Sequence, residues 1–176
     1  MSSPRDTLLS GRRLTIATRE SRLALWQARH VQALLADRFG IERVRTTRSG
    51  YLASCGLSIP RVDNARRTVD FAIELQRILE RFGGKHGTAL NLRAGIDTGT
   101  VTAGLVGETH IAYDLWGDAV NLAFQIQGNN NDAGIFITQA VVDRMPDTVH
   151  VRDWGYVTTA TGAQRVWRID PDDTRA

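Results

Sequence analysis

The sequence predicts an α/β domain, and three observations carry that expectation. Short, β-branched, alternating segments and longer segments with apolar residues near helical spacing follow one another along the chain. The longest helical segment runs from Asp63 to about Phe82, with Ala65, Val69, Ala72, Ile73, Leu75 and Leu79 on its apolar side. Behind it lies a glycine-punctuated run, Leu92 to Gly107, of the kind that lets strands turn tightly or approach other backbone closely.

Taken in order, residues 1–11 are polar, contain Pro4 and Gly11, and read as a disordered lead. Leu14–Thr18 alternates and reads as a strand. From Ser21 to about Phe39, Leu23, Trp26, Val31, Leu34 and Leu35 lie near helical spacing, with Ser21 as N-cap and Gly40 as stop. Glu42–Thr47 and Tyr51–Leu57 read as strands separated by a turn at Ser49-Gly50. The long helix after Asp63 is expected to close at Gly83-Gly84. Leu90–Asp97 and Val101–Leu105 read as strands joined by a tight Thr98-Gly99 link. A helix from about Gly117 to Gln127 follows, ended by the polar tract 128–132. Ile135–Ile137 is a strand, Gln139–Met145 a short helix stopped by Pro146, and Val149–Val151 with Gly155–Ile169 a terminal hairpin.

Composition narrows the function classes. No apolar run approaches the ~20 residues that a membrane helix needs, and Arg12-Arg13 lead into alternation rather than into a signal-peptide core. The single cysteine, Cys55, cannot form an internal disulfide, which fits a cytoplasmic protein. Residues 1–48 hold 10 Arg against 4 Asp/Glu, and the rest of the chain 12 Lys/Arg against 15 Asp/Glu. The basic front could suggest a polyanion partner. Its arginines are scattered through periodic sequence with no interleaved aromatic platforms, however, so nucleic-acid binding is not expected.

Two blocks carry the function. Tyr113-Asp114-Leu115-Trp116-Gly117-Asp118-Ala119-Val120-Asn121-Leu122-Ala123 follows Leu92-Arg-Ala-Gly95-Ile-Asp97-Thr-Gly99-Thr-Val-Thr-Ala-Gly104-Leu-Val-Gly107. In that order they resemble the second half of a class III nucleotidyl cyclase catalytic domain, over roughly Gly50 to Ile169. The resemblance implies a ferredoxin-like βαββαβ sheet with helices on one face, and conversion of a nucleoside triphosphate to a 3′,5′-cyclic nucleotide and pyrophosphate. The front is similar to something else. Leu14-Thr-Ile-Ala17-Thr18-Arg19-Glu20-Ser21-Arg22-Leu23-Ala24-Leu25-Trp26-Gln27-Ala28 resembles the first strand and helix of porphobilinogen deaminase, where the residues matching Arg19 and Ser21 line the cleft for cofactor and acidic substrate. The expected organisation is therefore a lead (1–11), a deaminase-like β-α-β segment (12–48) and a cyclase-like domain truncated on its N-terminal side (49–176).

The cyclase resemblance assigns roles residue by residue. Asp114 matches the aspartate that reads the adenine edge, accepting from the exocyclic amine, and Arg45 falls near the companion lysine if the alignment is carried through the junction. Asn121 matches the asparagine that orients the ribose. One helical turn on, the family arginine that stabilises the transition state is replaced by Gln125, which can donate a hydrogen bond but no charge. Losing one such stabiliser costs on the order of 10² to 10³ in rate. Two divalent ions, Mg²⁺ or Mn²⁺, would be needed for activity. The family's metal aspartates are not apparent: Ser49 stands at one position, and Leu14–Thr18 offers only Thr and Ala near the other.

The resemblance thus implies ATP or GTP as substrate or ligand, and a homodimer or cyclase-like partner, with an adenylyl cyclase-like domain impaired or inactive alone. Two alternatives stand beside it. One is a non-catalytic cyclase-homology module that dimerises or binds nucleotide. The other is a deaminase-like tetrapyrrole binder, for which only the front speaks. Asp97, in its Gly-x-Asp-x-Gly turn, reads as structural.

Overall fold

A computed structural model describes residues 37–170 of the chain, apart from 48–49, 88, 108–111, 130–131, 146–148 and 161. The expected strand at 14–18, most of the helix expected from Ser21, and the positions Arg19, Ser21 and Ser49 lie outside the described residues. Residues 37–39 are helical, and Gly40 follows them with φ 65°. Strands β1 (Ile41–Thr47) and β2 (Gly50–Cys55) then pair antiparallel, Thr47 opposite Gly50, with an irregularity between Arg43 and Arg45. The boundary expected at 48–49 thus falls between two strands that pair with each other.

Helix α1 spans Asn64–His86. It runs through Gly83-Gly84, where the sequence suggested an end. The stop is Gly87, whose left-handed backbone (φ 63°, ψ 24°) turns its N–H back to the Gly83 carbonyl. Asp63 precedes the helix, yet its carboxylate accepts from Arg67 Nε at 2.6 Å and makes no side-chain cap bond to the helix amides.

Four strands form the main sheet in the order β3 (Arg93–Ile96), β6 (Gly134–Thr138), β8 (Gly162–Ile169), β7 (Val151–Thr159). β3 runs parallel to β6, and the other neighbours are antiparallel. β4 (Thr102–Val106) does not join β3 across the Thr98-Gly99 link. It pairs instead with β5 (Ala112–Trp116) in a separate ribbon, the latter a strand that the sequence pattern did not announce. Helix α2 (Asp118–Asn129) follows that ribbon, and the one-turn α3 (Gln139–Val142) follows β6.

The α/β class holds, but the helices cover both faces of the main sheet. On one face, Ala65, Val69, Ala72, Ile73 and Leu79 of α1 pack with Ile96, Ile135, Ile137 and Ile169. On the other, Ile126 of α2 packs with Phe136, Val157 and Val166. Alternate residues of a strand point to opposite faces, so Ile135 and Ile137 meet α1 while Phe136 meets α2. All five residues of β6 are buried. The uninterrupted apolar run Ile135-Phe136-Ile137 is the sequence's sign of this, since a strand covered on one face alternates.

Candidate functional site

Of the residues singled out in the sequence, Asp114, Asn121 and Gln125 lie on the β4–β5 ribbon and the helix that leaves it. Asp114 sits mid-strand on β5, opposite Gly104 on β4. It is half-buried, and its Oδ1 accepts the Leu115 amide at 2.9 Å. Trp116, two residues on and so on the same face, lays its ring 3.5 Å from where a Gly104 Cβ would stand. A Cβ at 104 would make ordinary van der Waals contact with that indole.

Gly117 takes φ 142° to turn the chain from β5 into α2, and a Cβ there would meet the Thr100 carbonyl at 2.9 Å. This is a position only glycine fills comfortably. Its carbonyl accepts the Asn121 amide at 3.1 Å as the helix starts. Asp118 lies in the first turn of α2, where a carboxylate complements the helix dipole. Asn121 and Gln125 are both solvent-exposed and one turn apart, hence on one edge of the helix. The ribbon's Asp114 and the helix's Asn121 and Gln125 thus flank the Gly117 turn. Arg45 lies on β1 opposite Leu52.

Apolar side chains accompany these polar ones at the surface. Leu105 is 72% exposed, Val106 46%, Trp116 43% and Phe124 41%. Leu115 of β5 is buried, whereas none of the five residues of β4 is. Sequence reasoning missed this apolar surface, although Phe124 between Asn121 and Gln125 is a visible signal: an aromatic on a polar helix edge has something to meet.

Carboxylates near the sheet ends are otherwise engaged. Asp97, just past β3, accepts the hydroxyl of Thr138 at 2.5 Å, and Thr138 is only 3% exposed. Glu42 on β1 accepts the amides of Leu57 and Ser58 at 3.0 Å and the Ser58 hydroxyl. Burial alone would raise its pKa. The Ser58 hydroxyl, the two amides and nearby Arg61 outweigh burial, and the pKa is lowered. Among the described residues, no group of three or more His, Cys, Asp or Glu could hold a metal ion. The two positions at which the resemblance expects metal aspartates, Leu14–Thr18 and Ser49, lie outside the described residues.

Residues 28–166 match the adenylate and guanylate cyclase catalytic domain family. The chain belongs to this family. The match reaches back into the segment before residue 49, to β1 and beyond it. Adenylate cyclases of Mycobacterium bovis and Mycobacterium tuberculosis are 30% identical over 149 residues, covering 80% of this chain and 34% of theirs. The chain therefore spans about a third of the length of these relatives. Among solved structures, the guanylate cyclase domain of RhGC from Catenaria anguillulae, crystallised with GTP, superposes with a TM-score of 0.74 at 24% identity, over 88% of each chain. The guanylyl cyclase Cya2 superposes at 0.70 with 25% identity, over 80% of this chain and 75% of its own. The fold of this family is thus the fold of this chain. No helix among the described residues is long and apolar enough to cross a membrane.

Proposed function

We propose that this domain binds an adenine nucleotide at the edge formed by β5 and α2, as the purine-reading half of a class III cyclase-type dimer. The observation that carries this reading is the placement of Asp114, Asn121 and Gln125 around the single Gly117 turn, beside an exposed apolar surface. Asp114 accepts from the exocyclic amine of adenine. Guanine offers a carbonyl oxygen at that position, which a carboxylate repels, so ATP is preferred over GTP. Asn121 orients the ribose. Leu105, Val106, Trp116 and Phe124 are the surface on which a second cyclase-type domain sits, either a copy of this chain or a metal-bearing partner.

The reaction of such a pair is an intramolecular phosphoryl transfer. The ribose 3′-oxygen forms a bond to the α-phosphorus, the bond from that phosphorus to the bridging oxygen breaks, pyrophosphate leaves, and the hydroxyl proton passes to solvent. Positioning and charge neutralisation do most of the work. Cyclase domains use Mg²⁺ or Mn²⁺ when active. Ser49 stands where the resemblance expects a metal aspartate, and Gln125 brings no charge. The domain is accordingly impaired or inactive alone, and binding is its contribution.

A calorimetric titration of the purified chain with a non-cyclisable ATP analogue, with Mn²⁺ and without, tests this. Saturable binding is expected, with a preference over the GTP analogue. Asp114→Ala should weaken it by roughly ten- to a hundredfold, the worth of a hydrogen bond to a charged acceptor. A folded chain that binds neither nucleotide would reduce the cyclase likeness to ancestry.

A further inference from the structure

Helix α2 lies unusually close to the sheet beneath it, and the closeness is set by small residues on both sides. A Cβ placed on Gly95 of β3 would stand 2.2 Å from the Ala123 carbonyl oxygen and 2.9 Å from the Gln127 nitrogen. One turn toward the helix start, a Cβ on Gly99 would stand 3.2 Å from the Ala119 Cβ. Ala119 and Ala123 are four residues apart and lie on one side of α2. Backbone therefore rests on backbone at one contact, and a methyl faces an empty Cα at the other.

We propose that Gly95 and Gly99, with Ala119 and Ala123, are positioning residues that fix the depth at which α2 sits and so the reach of Asn121 and Gln125 toward Asp114. The two sides of the site are anchored differently. Asp114 belongs to the β4–β5 ribbon, whereas Asn121 and Gln125 ride on a helix whose height is decided at β3 and the link after it. The Gly117 turn joins them but is a single residue at a wide φ. Whatever raises α2 off Gly95 moves the amides and leaves the carboxylate in place. This inference rests on the nucleotide-binding reading above.

The two glycines differ in what they tolerate. At Gly95 the obstacle is main chain, which cannot rotate away, so Gly95→Ala must lift or unfold α2. At Gly99 the obstacle is one methyl, and the neighbour needs to give by only a few tenths of an ångström. Gly99→Ala is therefore the informative variant, and Ala119→Gly removes the very atom it meets.

Affinity for the non-cyclisable ATP analogue is measured for Gly99→Ala, Ala119→Gly, their combination, and each of these with Asn121→Ala. Because a misplacement of 1 Å can cost on the order of a hundredfold, a smaller lift should weaken binding roughly three- to tenfold. The combined variant should return to within about twofold of Ala119→Gly alone. Asn121→Ala should lose most of its effect on the Gly99→Ala background, because a displaced amide has less to lose. A Gly99→Ala variant that binds as the unaltered protein does would overturn the proposal. So would failure of Ala119→Gly to rescue it, or an Asn121→Ala effect of undiminished size. If the unaltered protein binds no nucleotide, the functional reading falls, and the seat is judged by amide NMR signals. Gly99→Ala should move those of Asn121 and Gln125, and Ala119→Gly should return them. Signals that stay in place would sink the inference on its own ground.

Discussion

Phe136→Ala tests the two-faced sheet most directly. Phe136 is fully buried, and its ring meets Trp154 edge-on, with centroids 5.2 Å apart and planes at 65°. The Arg168 guanidinium lies 5.9 Å from the same ring. Truncating a buried phenylalanine costs about 3–5 kcal/mol through lost transfer energy and the cavity left behind. An aromatic pair adds about 1 kcal/mol beyond area, which places this site in the upper part of that range. With an unfolding entropy near 2.1 cal/mol/K per residue and 176 residues, about 4 kcal/mol lowers Tm by about 10 °C. Urea denaturation followed by circular dichroism would read the free energy, and a thermal scan the shift. Ile137→Ala, on the opposite face and also fully buried, should cost about 2–5 kcal/mol. Tyr156→Ala, at a position 66% exposed, should stay within about 0.5 kcal/mol. If Phe136→Ala cost under about 1 kcal/mol while Ile137→Ala remained expensive, α2 would not cover that face, and the reasoning would be refuted.

Further consequences follow from single contacts. Gly84→Ala should stabilise the protein by roughly 0.5–1 kcal/mol, since the position is helical and a Cβ there meets nothing within 4 Å. Gly87→Ala should destabilise by about 1 kcal/mol, because φ 63° disfavours any side chain; urea midpoints that moved the same way in both variants would contradict this assignment of the helix end. The Glu42 carboxylate, with its pKa lowered from 4.5, contributes stability that is present above that value and lost as pH falls through the folded-state pKa. Glu42→Gln should therefore be less stable than the unaltered protein at pH 7, with the gap closing in urea titrations carried toward pH 3. A gap that widened on acidification would reverse the sign. In an assay with a metal-bearing cyclase half, Gln125→Arg should raise kcat on the order of a hundredfold; an unchanged kcat with intact pairing would remove position 125 from the site.

What the sequence disclosed and what it withheld divide along physical lines. Long-period patterns were legible: α1, α2, β6 and the terminal hairpin fall close to where apolar spacing put them. The end of α1 was not, because Gly83-Gly84 carries the composition of a stop while the stop itself depends on which glycine adopts the left-handed conformation. β5 was hidden for another reason. Its residues Tyr113-Asp114-Leu115-Trp116 alternate, but so short a strand carries little pattern, and its pairing with β4 is recognised only in the structure. The helix on the second face was foreshadowed in β6 and missed because the family likeness suggested one covered face. At the site, Asp114, Asn121 and Gln125 were singled out by the family resemblance, and not by spacing. The depth of α2 could not be read at all, since nothing in the string Arg93-Ala94-Gly95-Ile96 says that a helix backbone will rest on the third residue.

The charge on the candidate site follows from these positions and bears on what the domain can do. Between Thr102 and Val106, Ala112 and Trp116, and Asp118 and Asn129 there is no lysine, arginine or histidine. The ribbon and helix hold four side-chain amides (Asn121, Gln125, Gln127 and Asn129), two carboxylates (Asp114 and Asp118) and an apolar rim. A triphosphate meeting that edge finds hydrogen-bond donors but no cation, and Asp118 and Asp114 oppose its charge. Attraction must then come from the base and ribose, with the phosphates held by groups outside these elements. On the proposed reading, the exposed surface of Leu105, Val106, Trp116 and Phe124 is part of the site, because a cation for the phosphates would come from outside the ribbon and α2.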